Sequence, residues 1–84
     1  MPLILPIGKK IHKQIKKYSL QKKFDKQTKL LILNPNHPSL NLEILEPKHR
    51  CVYSFRLDRK FRALCLFDIQ KQTIEIIKIT VHYQ

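Results

Sequence analysis

Two arginines flank a short polar stretch, and their spacing is suited to binding an anion. If the stretch 58–60 is a three-residue hairpin loop, Arg56 lies directly opposite Arg62 on one face of a sheet. Like charges placed in this way destabilise a hairpin, and a phosphate, whose oxygens match the guanidinium fork, would relieve that cost. In the alternative arrangement, both arginines lie along the sheet with Asp58 or Glu75 as surface partners.

The carboxyl end of the chain carries a group suited to proton transfer. His82 has the same strand parity as Lys78 and Thr80, and Tyr83 follows it. An imidazole, with an ordinary pKa of about 6.5, exchanges protons near neutral pH. A terminal His-Tyr pair is also common as an exposed, frayed chain end, so its role depends on the residues that it meets.

The charge of the chain indicates a polyanionic partner. Seventeen Lys and Arg residues against six Asp and Glu give a net charge of +11 on 84 residues, more than solubility requires of so small a domain. The apolar fraction of 43% is ordinary for a globular protein and argues against a disordered basic tail. The length suits one domain spanning residues 1–84.

Several classes of protein are not indicated by this composition. Cys51 and Cys65 have no CxxC motif and no histidine at ligand spacing, so we expect two buried, reduced thiols, no metal and no cofactor. The apolar stretch 2–7 is too short for a membrane span or a signal peptide. We therefore expect a cytoplasmic protein with no membrane partner.

A strand, two helices and a meander are the elements that must position these groups. Apolar residues at helical spacing predict one helix over 9–18, with lysines on its exposed arc, and a second helix capped by Ser19 and running to about Leu33. Strands are expected at 3–7, 42–45, 51–57, 61–67 and 73–81. The predicted fold is α+β: a helical hairpin packed on a small antiparallel β-sheet, whose other face is free for a ligand.

Alternation along the strands assigns residues to the two faces of the sheet. Tyr53, Phe55 and Leu57 are expected to face the core, and Val52, Ser54, Arg56 and Asp58 the opposite side. On the last strand, the same rule places Ile77 with Ile79 and Val81 on one face, and Lys78 with Thr80 on the other.

Four strings resemble the RelE/ParE superfamily of bacterial toxins. They are NHPSL at 36–40, YSFRL at 53–57, RKFRAL at 59–64 and IIKI at 76–79, followed by His82. The likeness covers roughly residues 9–83, and its most specific part is the arginine-containing pair of strands. The fold that the resemblance implies, a helical hairpin on a small antiparallel sheet, agrees with the fold predicted above.

The resemblance implies the toxin of a type II toxin–antitoxin system, with two possible activities. Members of the RelE branch are mostly metal-independent endoribonucleases that enter the ribosomal A site and cut messenger RNA, whereas ParE members inhibit DNA gyrase. The pair His82-Tyr83 is similar to the carboxyl end of YoeB-like members and favours the nuclease. A gyrase inhibitor is the alternative, and a member that only pairs with its antitoxin is a third. The implied partners are a cognate antitoxin, the ribosome and mRNA.

The resemblance also implies roles for individual residues. Arg62 matches the family arginine that contacts the scissile phosphate, and Arg56 matches a second basic position. His82 would transfer a proton, and Tyr83 would stack on or orient a base. The glutamate base of YoeB-like enzymes has no counterpart in 34–40, which leaves Glu43, Glu46 or Lys48 as substitutes.

Further cations are expected to contact the RNA backbone. Lys13 and Lys17, on the lysine-rich side of the first helix, are assigned to ribosomal RNA. The remaining candidates are Lys48, Arg50, Arg59, Lys60 and Lys78.

Overall fold

Two helices cover one face of a five-stranded sheet in the computed structural model, which describes residues 3–81. The strands are β1 (Leu3–Ile4), β2 (Glu43–Ile44), β3 (Val52–Arg56), β4 (Phe61–Asp68) and β5 (Thr73–Val81). The helices are α1 (Lys9–Lys17) and α2 (Gln21–Leu33). Short 3₁₀ turns at Pro38–Leu40 and Lys48–Arg50 precede β2 and β3.

The strands lie in the order β1-β5-β4-β3-β2. The pairs from β2 to β5 are antiparallel, as expected for a meander, whereas β1 runs parallel to β5 and makes the sheet mixed. The predicted α+β fold is thus confirmed, with one parallel strand at the edge. That strand ends well before residue 7, and Pro6, which has no N–H to donate, follows it closely.

The core lies between the helices and the inner face of the sheet. Phe55 is fully buried in the same hydrophobic cluster as Ile15 of α1 and Leu20, which directly precedes α2. Leu57 is also buried, and Tyr53 is partly buried against the same cluster, which confirms the predicted core face of β3. This packing leaves the opposite face of the sheet, called the outer face below, free of helices.

A bulge in β5 changes which isoleucines enter the core. The β4–β5 register shifts between Leu64, which pairs with Lys78, and Cys65, which pairs with Ile76, so Ile77 is the extra residue. Ile76 is therefore buried, whereas Ile77 is 40% exposed. The prediction that Ile77 shares a face with Ile79 was wrong, because strict alternation ends at a bulge.

Only one of the two cysteines is buried. Burial raises the pKa of the Cys65 thiol to about 11, despite a backbone hydrogen bond at Tyr53 that lowers it. Cys51 is only partly buried, at a backbone position with φ of 55° before β3. Both thiols are free, and the expectation of two buried cysteines holds for Cys65 alone.

Ser19 ends α1 and does not cap α2. Its φ is 55°, and its N–H donates to the carbonyl of Lys16 at 3.2 Å, while the N–H of Leu20 donates to Ile15 at 2.8 Å. These two bonds form a Schellman motif, in which the buried side chains of Leu20 and Ile15 also meet the usual apolar requirement. The predicted cap at Ser19 was wrong because the chain uses this position to leave the first helix.

Replacing Ser19 with Gly should therefore stabilise the protein. A left-handed backbone costs a residue with a Cβ atom about 1–2 kcal/mol, and the greater chain entropy of glycine when unfolded offsets part of the gain. We expect the free energy of unfolding in urea to rise by about 0.5–1 kcal/mol. Ser19→Ala, which keeps the Cβ, is the matched control and should show no such rise. A loss of stability in the glycine variant would contradict this assignment.

Candidate anion-binding site

Arg56 and Arg62 face each other across the β3–β4 hairpin, as the sequence predicts. Thr80 of β5 is the partner of Arg62 on the other side, so the three residues form one row across the sheet. Because cross-strand partners share a face, the row lies on the outer face, away from the helices. We call this row, together with the neighbouring Ser54, the arginine face.

The loop that sets this pairing is held by Asp58. One carboxylate oxygen accepts hydrogen bonds from the N–H groups of Lys60 and Phe61, both at 2.8 Å. The other accepts from Lys23 of α2 at 2.9 Å, which is the one ion pair formed within residues 3–81. Asp58 therefore fixes the hairpin and the position of α2, and it is not a partner of the two arginines. Glu75, the other alternative partner, lies opposite Leu66, away from the arginine row.

The hydrogen bonds and the ion pair of Asp58 make the stability of the folded protein depend on pH. Partial burial raises the pKa of this carboxyl, but the hydrogen bonds from Lys23, Phe61 and Lys60 together lower it below its ordinary value of 3.8. Asp58 therefore binds its proton more tightly in the unfolded chain than in the folded protein. Its contribution to the free energy of unfolding is complete above the ordinary pKa and is lost as the pH falls through the lowered pKa of the folded state.

Asp58→Asn keeps an oxygen for the two backbone N–H groups but removes the charge. Urea unfolding of both proteins at pH values between about 2 and 6 should therefore show the wild type losing more stability on acidification than the variant. Parallel curves for the two proteins would mean that Asp58 contributes nothing to the acid response.

Arg62 is held rigidly against the sheet. The residue is 4% exposed. Its Nε donates to the hydroxyl of Ser54, and its Nη2 donates to the carbonyl oxygens of Asn41 at 2.7 Å and Ser54 at 3.0 Å. Nη1 is buried and has no hydrogen-bond partner within the described part of the chain. Since an unpaired buried donor is costly, Nη1 is the atom of this guanidinium that an anion would stabilise most.

The surroundings of Arg62 shift its pKa in opposite directions. Burial lowers the pKa of Arg62 from its ordinary value, and the neighbouring charge of Arg56 lowers it further, while Glu43 raises it. An arginine remains protonated in a protein despite such shifts. The arginine face therefore holds two cations beside one carboxylate, and its net positive charge favours an anionic ligand.

A buried amide joins α2 to the edge of this site. Gln27 is 5% exposed, and its Nε2 donates to the carbonyl of Arg56 at 2.8 Å and to that of Ser39 at 3.2 Å. Ser39 lies in the 3₁₀ turn before Asn41, whose carbonyl receives Arg62. Gln27 thus fixes the end of β3 and the loop that supplies the acceptor for Arg62.

Three of the predicted RNA-binding cations lie around the arginine face. Arg59 and Lys60 are exposed in the hairpin loop between β3 and β4. Lys78 pairs with Leu64 in the row next to that of Arg62. These three extend the positive surface of Arg56 and Arg62.

Four other predicted cations lie elsewhere. Lys48 and Arg50 are in the 3₁₀ turn before β3, at the opposite end of that strand from Arg56, which corresponds to about 13 Å along the strand. Lys13 and Lys17 are exposed on α1, in the helical layer behind the sheet. Lys48 is therefore not brought to the arginine face, and the roles of all four stay predictions.

The expected proton-transfer groups are only partly described. Glu43 pairs with Ser54, which brings it beside the arginine face, whereas Glu46 lies in the loop beyond β2. His82 and Tyr83 lie outside the described residues. Of the proposed substitutes for a general base, Glu43 is thus the one that approaches Arg62.

Two features of the site were not predicted from the sequence. One is the pair Ser54 and Asn41, which hold Arg62, and the other is a cationic cleft beside the open edge of β3. The cleft has a volume of about 350 Å³. Its charged lining residues are Lys23, Lys26, Arg56, Asp58 and Arg59. Ser54 was detectable, because its strand parity places it on the face of Arg56; the cleft was not, because it depends on how α2 packs.

Membrane-spanning helices and clusters of metal ligands are both absent from residues 3–81. Neither helix has the length and apolar character needed to cross a membrane. No three His, Cys, Asp or Glu side chains in that part of the chain are grouped so that they would hold a metal ion.

Comparison with solved structures identifies the fold. The chain is similar to the YoeB/ParE toxin from Agrobacterium tumefaciens, with a TM-score of 0.71 and 15% identity over 99% of this chain and 100% of the other. It is also similar to a chain of the heterotetrameric YoeB–YefM toxin–antitoxin complex from Staphylococcus aureus, with a TM-score of 0.66 and 20% identity over 99% and 97% of the two chains. A YoeB dimer from the same organism gives 0.64 and 21% over 96% and 94%.

These similarities confirm the predicted resemblance at the level of the fold. The protein has the YoeB/ParE toxin fold over nearly its whole length. No protein-family model and no curated protein sequence matches the chain.

Proposed function

We propose that this protein is the toxin of a type II toxin–antitoxin system and that it arrests translation by cutting messenger RNA on the ribosome. The observation that carries the proposal is the pairing of Arg56 with Arg62 on the outer face of the sheet, in a fold shared with YoeB/ParE toxins. The net charge of +11 supports a polyanionic substrate.

The proposed reaction needs few groups. A base removes the proton of a ribose 2′-hydroxyl, the oxygen attacks the adjacent phosphorus, and the 5′-oxygen leaves with a proton supplied by an acid. Arg62, through Nη1, and Arg56 stabilise the charge that develops on the phosphate oxygens. Glu43 and His82 are the candidates for the proton transfers, and Tyr83 is the candidate for stacking on a base. The proposed step uses no metal or other cofactor.

The proposed partners are an antitoxin, the ribosome and mRNA, in the cytoplasm. One structural relative was solved as a YoeB–YefM toxin–antitoxin complex. An acidic antitoxin segment that folds on the positive surface of this chain would suit its charge. Exposed lysines such as Lys13 and Lys17 would make backbone contacts with ribosomal RNA.

Inhibition of DNA gyrase is the second candidate function, and one observation favours it. The guanidinium of Arg62 makes three hydrogen bonds to Ser54 and Asn41, so most of its donors are engaged within the protein. If Arg62 serves only to stabilise the sheet, the same positive face would bind a protein surface, and no RNA bond would be broken.

Two assays on the purified protein separate these functions. We expect the protein to stop incorporation of labelled amino acids in a bacterial cell-free translation extract and to leave DNA supercoiling by purified gyrase unchanged. Uninhibited translation together with blocked supercoiling would establish the gyrase function and reject the proposal.

A further inference from the structure

The cationic cleft beside β3, called the edge cleft here, lies next to the arginine face, shares Arg56 with it, and takes its other cations from different elements. Lys23 and Lys26 come from α2, and Arg59 comes from the hairpin loop. On one side of β3, β2 pairs only at Tyr53 and Ser54, so the last part of β3 is paired with β4 alone and the cleft lies on its open side.

The charges of the edge cleft are largely unneutralised. Its one carboxylate, Asp58, is already paired with Lys23 and accepts two backbone N–H groups. Lys26, Arg56 and Arg59 form no salt bridge with any residue between 3 and 81. Three cations around a concave surface raise the local concentration of anions, and they do so more strongly than the same charges on a flat surface.

Arg56 connects the edge cleft to the arginine face. It lines the cleft, it pairs with Arg62 across the hairpin, and its charge lowers the pKa of Arg62, after burial as the larger cause. The backbone carbonyl of Arg56 is fixed by Gln27, so the strand end that carries it is well positioned. A chain of phosphates bound at Arg62 can therefore continue past Arg56 and around the edge of β3 into the cleft.

The lining favours a nucleic acid over a protein segment. Leu57 is the one apolar residue among the described residues that line the cleft. Protein partners usually insert apolar or aromatic anchors into the centre of an interface, whereas a nucleic acid backbone is held by cations without such an anchor.

We propose that the edge cleft binds the phosphates of the RNA strand that flank the phosphate at Arg62. This inference rests on the proposed function, because it takes RNA as the ligand of the arginine face. Lys26 and Arg59 are its backbone-binding residues, and they position the strand without reading its sequence.

The test is the salt dependence of binding to a fluorescein-labelled single-stranded RNA, measured by anisotropy between about 50 and 200 mM salt. Lys26→Gln should lower the slope of log K against log salt by about 0.7, and Lys26→Gln with Arg59→Gln by about 1.4. Over this range the wild type should then lose about 7-fold more affinity than the double variant. Lys71 is another exposed lysine, in the β4–β5 turn at the other end of the sheet, and Lys71→Gln should leave the slope unchanged.

Two results would overturn the inference. One is an equal change of slope in Lys26→Gln and Lys71→Gln, which would mean that Lys26 contributes no more to RNA binding than any other surface lysine. The other is an unchanged RNA slope in the double variant together with lost binding of poly-glutamate, which would make the cleft a protein-docking surface. Neither result depends on RNA cleavage, so the inference and the proposed nuclease can fail separately.

Discussion

Replacing Arg62 with Ala is expected to lower the rate of message cleavage on translating ribosomes by at least about 100-fold. The removal of one preorganised donor to a developing oxyanion typically costs about 10²–10³ in rate. Arg62 is preorganised in this sense, because Ser54 and Asn41 hold Nε and Nη2 while Nη1 has no partner among residues 3–81. The measurement is the rate at which a labelled message is cut in a reconstituted translation system.

Because Arg62 is also buried, this variant needs a control for folding. Its removal leaves the carbonyl of Asn41 without that donor, so some loss of stability is expected as well. Arg62→Lys keeps the charge but not the planar fork, and we expect it to recover only a small part of the rate. Both variants are compared at a temperature where circular dichroism shows them folded. If folded Arg62→Ala cleaves the message at the wild-type rate, Arg62 has no role in the reaction.

Replacing Phe55 with Ala is expected to lower the free energy of unfolding by about 3–5 kcal/mol. The side chain is fully buried in the hydrophobic core, so its loss removes apolar burial and leaves a cavity. A small domain has only about 5–15 kcal/mol of stability, so this change alone would leave a large unfolded fraction near the low end of that range.

Urea unfolding followed by circular dichroism measures this effect. Leu33→Ala is the matched control, because Leu33 is 59% exposed at the end of α2 and should change stability by less than about 0.5 kcal/mol. Equal losses in the two variants would mean that the core is not centred on Phe55.

The pairing of the two arginines was predictable because loop length and strand alternation are local properties. A short polar loop fixed by Asp58 sets the hairpin register, and register determines which residues face each other. The core face of Phe55 and Leu57 was predictable for the same reason. The fold class followed from the order of these elements.

Other features depend on contacts between distant parts of the chain and have no local signal. The parallel pairing of β1 with β5 joins the two ends of the described chain. Ser19 adopts a left-handed conformation, and a bulge turns Ile77 outward. Both features depend on tertiary packing, which overrides local propensity and strand alternation. The edge cleft depends on how Lys23 and Lys26 of α2 come to lie beside β3.

The burial of Arg62 is the part of the candidate site that sequence reasoning described least well. Alternation gave its face but not its partners, because the acceptor at Asn41 lies 21 residues away in a loop. Ser54 could have been found, since it shares the outer face and is one row from Arg62. A buried guanidinium with one nitrogen that has no partner in the described part of the chain was not expected, because charged residues are usually solvated unless paired.

One measurement directly tests the proposal that this positive sheet face cuts RNA during translation. Primer extension on a defined message, incubated with ribosomes and purified protein, maps every new 5′ end. We expect breaks within codons of the translated frame that vanish when the start codon is removed and are absent with Arg62→Ala. An intact message under conditions in which the ribosomes translate it would contradict the proposed nuclease function.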